Sequence, residues 1–455
     1  MANLKTSRAG HRYARRGFLQ QSATAVGAVF AGPLLLPSSV LALAGQVAPS
    51  NRIAVGLIGL GRQAVYANLP AFLHAPDAQV VAVCDVDAWR LEQGRKKVED
   101  YYASQQDSGK FKGCATYRDF RELLARKDID AVMISTPDHW HVPMAVAAVK
   151  AGKDVCCEKP LTRSIAEGRI LSDWVKREKR VFRTDSEFRS LSDFRRACEL
   201  VRNGRIGKLH TIRTGVPATD EALPAQSEMP VPKELDYDLW LGPAPQAPYH
   251  EKRVHPSHGF GRPGWMRVRD YCDGLILNWG THLNDIAQWG NNTDRTGPVD
   301  VEGRGQYPPQ DGLWNVLLRF EVEHRYANGV RLFYKSGQPY IRFEGSEGWV
   351  HVTYGKAIEA HPESILQFKP GPNDVRLPAK NEKRDFLDAI KTRGDTMADA
   401  EVGHRTASVC HLGHIAIQVG KKLQWDPDAE RFVGNDEANQ HLHTKPLRAP
   451  WRVQG

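Results

Sequence analysis

The stretch RIAVGLIGLGRQA, Arg52 to Ala64, constrains the fold more than any other part of this 455-residue chain. Ile53 to Ile58 is a short apolar run with β-branched residues at both ends, as expected of a parallel strand covered on both faces. It feeds Gly59-x-Gly61-x-x-Ala64. Gly59 permits the tight turn, Gly61 lets the backbone approach a pyrophosphate, and Ala64 allows the next helix to pack closely on the strand. The first amides of that helix, around Arg62 and Gln63, then point at the phosphates. Glycine-rich turns are common after strands, so context decides the reading. AQVVAVCD reads as a second strand ending in Asp85, 21 positions beyond Ala64. A carboxylate there accepts hydrogen bonds from the adenosine ribose and repels a 2′-phosphate, which favours NAD over NADP.

The alternation continues. A polar helical stretch runs from Asp87 to about Tyr102, DAVMIST (130–136) is a strand, and HVPMAVAAVKAG is a helix ending at Gly152. KDVCCEKP is another strand, EGRILSDWVKREK an amphipathic helix, and RVFRTD closes the series. Repeated strand–helix units imply a parallel sheet with helices on both faces, and ligands bind beyond the carboxyl ends of such strands. The loops at Gly59, Asp85, Thr136-Pro137 and Glu158 are therefore the ones to watch.

Ahead of this domain, Lys5, Arg8, Arg12, Arg15 and Arg16 precede a run with no charge before Arg52, and Ala42-Leu43-Ala44 offers a small-x-small cleavage site. That order makes an export signal over residues 1–44, cleaved after Ala44 or kept as an anchor. Arg15-Arg16-Gly17-Phe18-Leu19 resembles the twin-arginine signal, which implies passage through that export machinery in a folded state to the periplasm or beyond. Removing the five basic residues of the leader from the formal +9 leaves +4. Without Lys/Arg blocks this gives no argument for nucleic acid. The remaining length of about 410 residues suggests two domains. Seven scattered cysteines cannot all pair, and Cys156-Cys157 sit in an apparent buried strand, so no disulfide framework is expected.

GLIGLGRQA, CDVD, STPDHWH and CEKPLT together resemble the Gfo/Idh/MocA family, and the likeness continues through DYDLWLGPAP, DGLILNWGTHLNDIAQWG, GSEGWV, KRDFLDAI and RAPW. The resemblance implies an α/β architecture: an N-terminal Rossmann domain, residues 52–185, binding NAD(P), and a C-terminal α/β domain, residues 186–455, with an open, mainly antiparallel sheet. It also implies sugar or polyol substrates and a homo-oligomer, dimer or tetramer. In the family the lysine of Glu-Lys-Pro, here Lys159, lies near the nicotinamide and the reacting carbon, with Glu158 and Pro160 holding its loop. His139 and His141, beside the crevice, are read as cofactor or substrate contacts.

The second half changes period. WNVLLRFEV alternates, with Trp314, Val316, Leu318, Phe320 and Val322 on one face. VRLFYKS and PYIRFEGSEGWVHVTYG read as further strands, and EVGHRTASVCHLGHIAIQVGKKL as a helix carrying Val402, Val409, Ala416, Val419 and Leu423 on one stripe. His411 and His414 lack a third ligand, so no metal site is expected.

In DGLILNWGTHLNDIAQWG the family places an aspartate, a histidine four positions on, and an aspartate three further; here these are Asn278, His282 and Asp285. On a helix those offsets share one face. His282 is assigned as general base, with Lys159 polarising the same oxygen and Asp285 orienting the imidazole or binding a neighbouring hydroxyl. Asn278 cannot take a proton, which leaves open a different substrate pose or another base such as Tyr271. Arg189, Trp265 and Trp279 are substrate-contact candidates, the two indoles by stacking on a sugar face.

Outside the cytoplasm no free nicotinamide pool exists, so an exported enzyme of this kind must hold its cofactor and restore it in place. Three functions compete: an NAD(P)-dependent oxidoreductase of sugars, polyols or glycosides; a redox-neutral hydrolase or epimerase working through a keto-sugar; and a non-catalytic sugar- or nucleotide-binding protein.

Overall fold

The computed structural model describes residues 51–104, 111, 113–218, 221–443 and 447–451; the expected export signal lies outside them. Six short strands form the first sheet: β1 (Ile53–Ile58), β2 (Ala78–Cys84), β3 (Ala115–Tyr117), β4 (Ala131–Ile134), β5 (Asp154–Cys157) and β6 (Phe182–Thr184). They run parallel in the order β3-β2-β1-β4-β5-β6. The chain leaves β1 toward one edge and returns to β4 on its other side. Beyond the carboxyl ends of these two strands the crossovers diverge and open a crevice.

Helices cover both faces, and local chemistry starts them. The Asp87 side chain accepts the amides of Trp89 and Arg90 at the head of Ala88–Ala103, and Ser164 accepts that of Glu167 at the head of Ile165–Glu178. The third, Asp138–Lys150, packs an almost wholly buried sequence against the sheet.

The second sheet has nine strands: β7 (Leu209–Pro217), β8 (Asp300–Gln306), β9 (Arg319–Arg325), β10 (Arg331–Gly337), β11 (Tyr340–Gly345), β12 (Gly348–Thr353), β13 (Glu359–His361), β14 (Leu423–Asp426) and β15 (Arg431–Phe432). Their order is β13-β12-β11-β7-β10-β9-β8-β14-β15. β7 and β10 pair in parallel and the other neighbours antiparallel, so the sheet is mainly antiparallel as expected. One face receives the helices Ser192–Arg202, Gly280–Asn291 and Ala400–Val419. On β10 the buried Leu332 and Tyr334 alternate with the exposed Arg331 and Lys335, which leaves the other face open.

Two boundaries differ from the sequence reading. The strand expected from Trp314 begins only at Arg319, because the preceding backbone bonds elsewhere: Trp314 bridges Leu223, and the amides of Asn315 and Val316 donate to Arg267 O. The long helix ends at Val419, where Gly420 takes φ +68°, so Leu423 belongs to β14 and not to the helical stripe.

The larger difference concerns the lobes themselves. The helix Glu382–Thr392 comes from the C-terminal half, yet Phe386, Leu387 and Ala389 are buried in the same core as Val55, Leu57, Phe72 and Cys156. Charged pairs hold it there. Arg384 and Lys391 both donate to Asp77, Arg393 to Asp154 at 2.6 Å and Lys383 to Asp185; Arg183 lies 3.0 Å from Asp385. The first lobe is thus finished by residues more than two hundred positions beyond its last strand. All seven cysteines are free and buried.

Candidate active site

A cavity of about 960 Å³ opens beyond the carboxyl ends of β1 and β4. Gly59, Gly61, Arg62, Gln63, Asp85, Thr136, Pro137, Glu158 and Lys159 line it from the first lobe, and Trp265, Asn278, Trp279 and His282 from the second. The structure therefore brings together most of the residues selected from sequence.

The glycine turn is built as its spacing requires. Gly59 has φ +87°, and a Cβ there would stand 2.8 Å from the Ser135 carbonyl, so only glycine fits. A Cβ on Gly61 would meet nothing within 4 Å, which leaves open space over the backbone. The Asp85 carboxylate is fixed in place, Oδ2 accepting from Leu60 N at 2.7 Å and Oδ1 from Asp87 N at 2.9 Å. Burial raises its pKa, more than those amides and the Arg90 charge lower it.

The second loop carries the reacting groups. Asn68 Nδ2 donates to Glu158 Oε1 and to Ser135 Oγ, both at 2.9 Å, tying the loops after β4 and β5 together. Burial, with the Asp185 charge adding, pushes the Glu158 carboxyl well up. Lys159 Nζ donates to the main-chain oxygen of Asn278 at 3.1 Å, which fixes the ammonium beside the helix that presents His282.

The His282 ring stacks on Phe188, with centroids 4.4 Å apart and planes inclined by 17°. Its Nε2 is 3.8 Å from Glu187 Oε1, and its Nδ1 is buried with no hydrogen-bond partner. Burial, reinforced by the Lys159 charge, holds its pKa well below the ordinary value, so the imidazole is neutral at pH 7.

Five expectations require correction. Asp285 does not face the cavity; it is 1% exposed. Its oxygens accept from Arg189 at 2.7 and 2.8 Å, from Thr406 at 3.1 Å and from Ser186. Arg189, 2% exposed, is spent on that pair, on Asp294 and on Met397 O, and is not a substrate contact. Helical spacing put Asp285 near His282 in sequence, but that part of the helix faces the core. Tyr271 is wholly buried among His139 and Trp240, away from the lining, and cannot act as a base. His141 is 1% exposed, with Nδ1 2.7 Å from Pro160 O and Nε2 2.9 Å from Thr136 O. It braces two cavity loops from behind and touches no ligand space; His139, bonded to Trp240 O, is likewise buried.

Other lining residues escaped the sequence reading: Glu187, Tyr354, Met266 and the aromatic Phe260. Glu187 stands two positions before Arg189 in the same 3-10 turn, and it is Glu187 that faces the cavity. His411 Nε2 faces Thr162 O and His414 Nε2 faces Tyr307 Oη, and among the described residues no cluster could hold a metal.

The residues present fit a dinucleotide. Thr136 and His282, both lining residues, each carry a buried polar atom without a hydrogen-bond partner, Oγ1 and Nδ1, and the open space over Gly61 sits where a pyrophosphate needs backbone contact. A parallel sheet with its switch-point crevice, joined to a second lobe that supplies a neutral histidine beside a lysine, defines a nicotinamide-dependent type of oxidoreductase.

Comparison with known proteins narrows this. Residues 53–186 match the oxidoreductase family described as having an NAD-binding Rossmann fold, and residues 221–453 match its C-terminal alpha/beta domain. The chain belongs to the Gfo/Idh/MocA oxidoreductase family. A relative from Shewanella sp. (strain MR-4), glycosyl hydrolase family 109 protein 1, is 28% identical over 271 residues, 55% of this chain and 54% of that protein. A glycosyl hydrolase family 109 protein of Saccharopolyspora erythraea is 36% identical over 115 residues, 25% of this chain and 24% of that protein. The matches thus span about half or less of these relatives. Among solved structures, the aldose-aldose oxidoreductase of Caulobacter crescentus complexed with glycerol is 18% identical, with TM-score 0.60 over 82% of this chain and 99% of that one. The WlbA dehydrogenase of Bordetella pertussis, in complex with NADH and UDP-GlcNAcA, is 14% identical with TM-score 0.60 over the same shares. At such identities these two show the shared fold.

Proposed function

We propose that the protein transfers hydride to and from a hydroxyl-bearing carbon of a sugar, polyol or glycoside, using a tightly held NAD. The observation that carries this reading is the convergence of Lys159 and His282 on the cavity that also contains Gly59, Gly61 and Asp85. The nicotinamide would supply the hydride acceptor and donor. Gly59, Gly61 and the first turn at Arg62 and Gln63 would hold its phosphates, and Asp85 its ribose. The Asp85 side chain is fixed by two amides where a ribose would sit, which supports NAD over NADP.

This chain's side chains would do the proton work. Lys159, fixed by the Asn278 carbonyl, places positive charge beside the substrate oxygen as its proton leaves. The neutral His282 accepts that proton and returns it in the reverse direction. Trp265 and Trp279 offer ring faces to a sugar. Glycosides are supported by the relatives named as glycosyl hydrolases, which favour a second reading: oxidation to a ketone, loss of the proton from the acidified neighbouring carbon with expulsion of the aglycone from the carbon beyond it, addition of water to the resulting double bond, and return of the hydride.

The test is to purify the protein with its bound dinucleotide, add candidate sugars and glycosides, and follow nicotinamide absorbance and products together. Net absorbance change supports oxidoreduction; aglycone release with unchanged absorbance supports the redox-neutral route. Bound dinucleotide with no turnover leaves only a binding protein. Export by the twin-arginine route is part of the proposal, checked by fusing residues 1–44 to a reporter. So is a homo-oligomer, supported by the open face of the second sheet and measurable by light scattering.

A further inference from the structure

Resting on the reading of a retained dinucleotide, a second feature concerns how it would be kept. An irregular segment of the second lobe, residues 255–263, crosses to the head of the helix Ala88–Ala103 in the first lobe. Two first-lobe residues anchor it. Arg90 Nη2 donates to Pro256 O at 3.1 Å and to Gly259 O at 2.8 Å, although Arg90 is only 3% exposed. Asp87 Oδ2 lies 3.0 Å from His255 Nε2. A buried guanidinium satisfied by main-chain carbonyls of another lobe fixes the path of that backbone and not merely a side chain.

The held segment presents Phe260. Its ring lies 5.2 Å from the Arg90 guanidinium carbon, 5.2 Å from the Trp89 ring and 5.9 Å from the Tyr66 ring. Phe260, Gly261, Arg262 and Pro263 also line the cavity that contains Asp85 and Gly61. Asp85, two positions before Asp87, marks where a ribose would sit. The anchor and the ribose site therefore belong to one short stretch, and Phe260 lines the same cavity as Asp85.

We propose that residues 255–263 form a built-in clasp over the adenosine end of the cofactor, with Arg90 as its positioning residue and Phe260 as its contact surface. The dinucleotide leaves only when the two carbonyl bonds from Arg90 open, so the clasp sets the exit rate.

The experiment loads the full protein with NADH, removes the free dinucleotide and chases with excess NAD while following nicotinamide fluorescence. Exit from Arg90→Ala and from Phe260→Ala is expected to be about tenfold faster, the ratio that about 1.4 kcal/mol represents and the lower end for a hydrogen bond to a charged group. Phe260→Tyr, which keeps the ring, restores slow exit. Because Phe260 is partly exposed, its Ala variant keeps the dinucleotide-free melting temperature, which separates a lost clasp from general unfolding. Unchanged exit in Phe260→Ala, or failure of Phe260→Tyr to restore it, overturns the clasp. Wild-type protein that binds no dinucleotide overturns the proposed function as well, so the two failures are distinguishable.

Discussion

Replacing Asp285 with Ala tests whether that carboxylate serves structure or chemistry. Arg189 and Asp285 share two hydrogen bonds, at 2.7 and 2.8 Å, with both side chains 2% exposed. Thr406 and Ser186 also donate to the carboxylate. Removing it leaves a guanidinium buried with only Asp294 and the Met397 carbonyl to meet it. Losing one partner of a buried pair costs about 3–5 kcal/mol, and the Asp294 carboxylate that still faces the guanidinium holds the loss toward the lower end. At a urea dependence of about 3 kcal/mol per M, the midpoint falls by about 1 M or more. Circular dichroism in urea reads this directly, with turnover and dinucleotide content measured on the folded fraction. The double variant Arg189→Met/Asp285→Leu should recover much of the loss, since it removes both charges. An Asp285→Ala protein with an unmoved midpoint and abolished turnover would refute the structural assignment and return the carboxylate to the cavity.

Gly59→Ala forces a side chain to φ +87° and within 2.8 Å of backbone, and should destabilise the first lobe by about 1–3 kcal/mol in the same urea assay. Gly61→Ala should fold normally and lose dinucleotide affinity by titration, because its Cβ enters open cavity space. His282→Ala should lower turnover by about 10²–10⁴-fold, and the acid limb of the wild-type rate profile that reports this group should lie well below pH 6.5, because burial and the Lys159 charge depress its pKa. Burial works against Glu401 and Glu430, yet Arg169 and Arg405 hold the first carboxyl at about 2, and His404 and Arg169 hold the second there. Depressed carboxylates stabilise the fold fully above their unfolded pKa, about 4.3, and lose that contribution as pH falls toward 2, so acid unfolding should be shallower in Glu401→Gln.

The first lobe was largely legible because its strands, except β3 and β6, are short mainly apolar runs set between turns and helices, a pattern local enough to read without partners. β3, three residues with no buried side chain, carries no such signal. The extended run at Trp314 misled because alternation indicates a strand only when a neighbour takes the backbone, and there a loop took it. The candidate site divides the same way. Gly59, Gly61 and Asp85 follow from backbone geometry at strand ends, and Lys159 from the family resemblance together with its place at such an end. Asp285 rests on the family pattern and helical spacing, and Tyr271 and His141 on residue type near the crevice; none of these says which way a buried side chain turns. Phe260 and Met266 come from an irregular segment with no period to read.

The helix Glu382–Thr392 carries an implication for biosynthesis. A ribosome releases the chain from its amino end, so all six strands of the first sheet are available long before Phe386 and Leu387 emerge to close its underside. Until then an apolar surface flanked by Asp77, Asp154 and Asp185, each still without its basic partner, waits exposed. Completion of the cofactor-binding half is therefore a late event in synthesis, and a nascent chain arrested near residue 380 should be the form on which chaperones and proteases act.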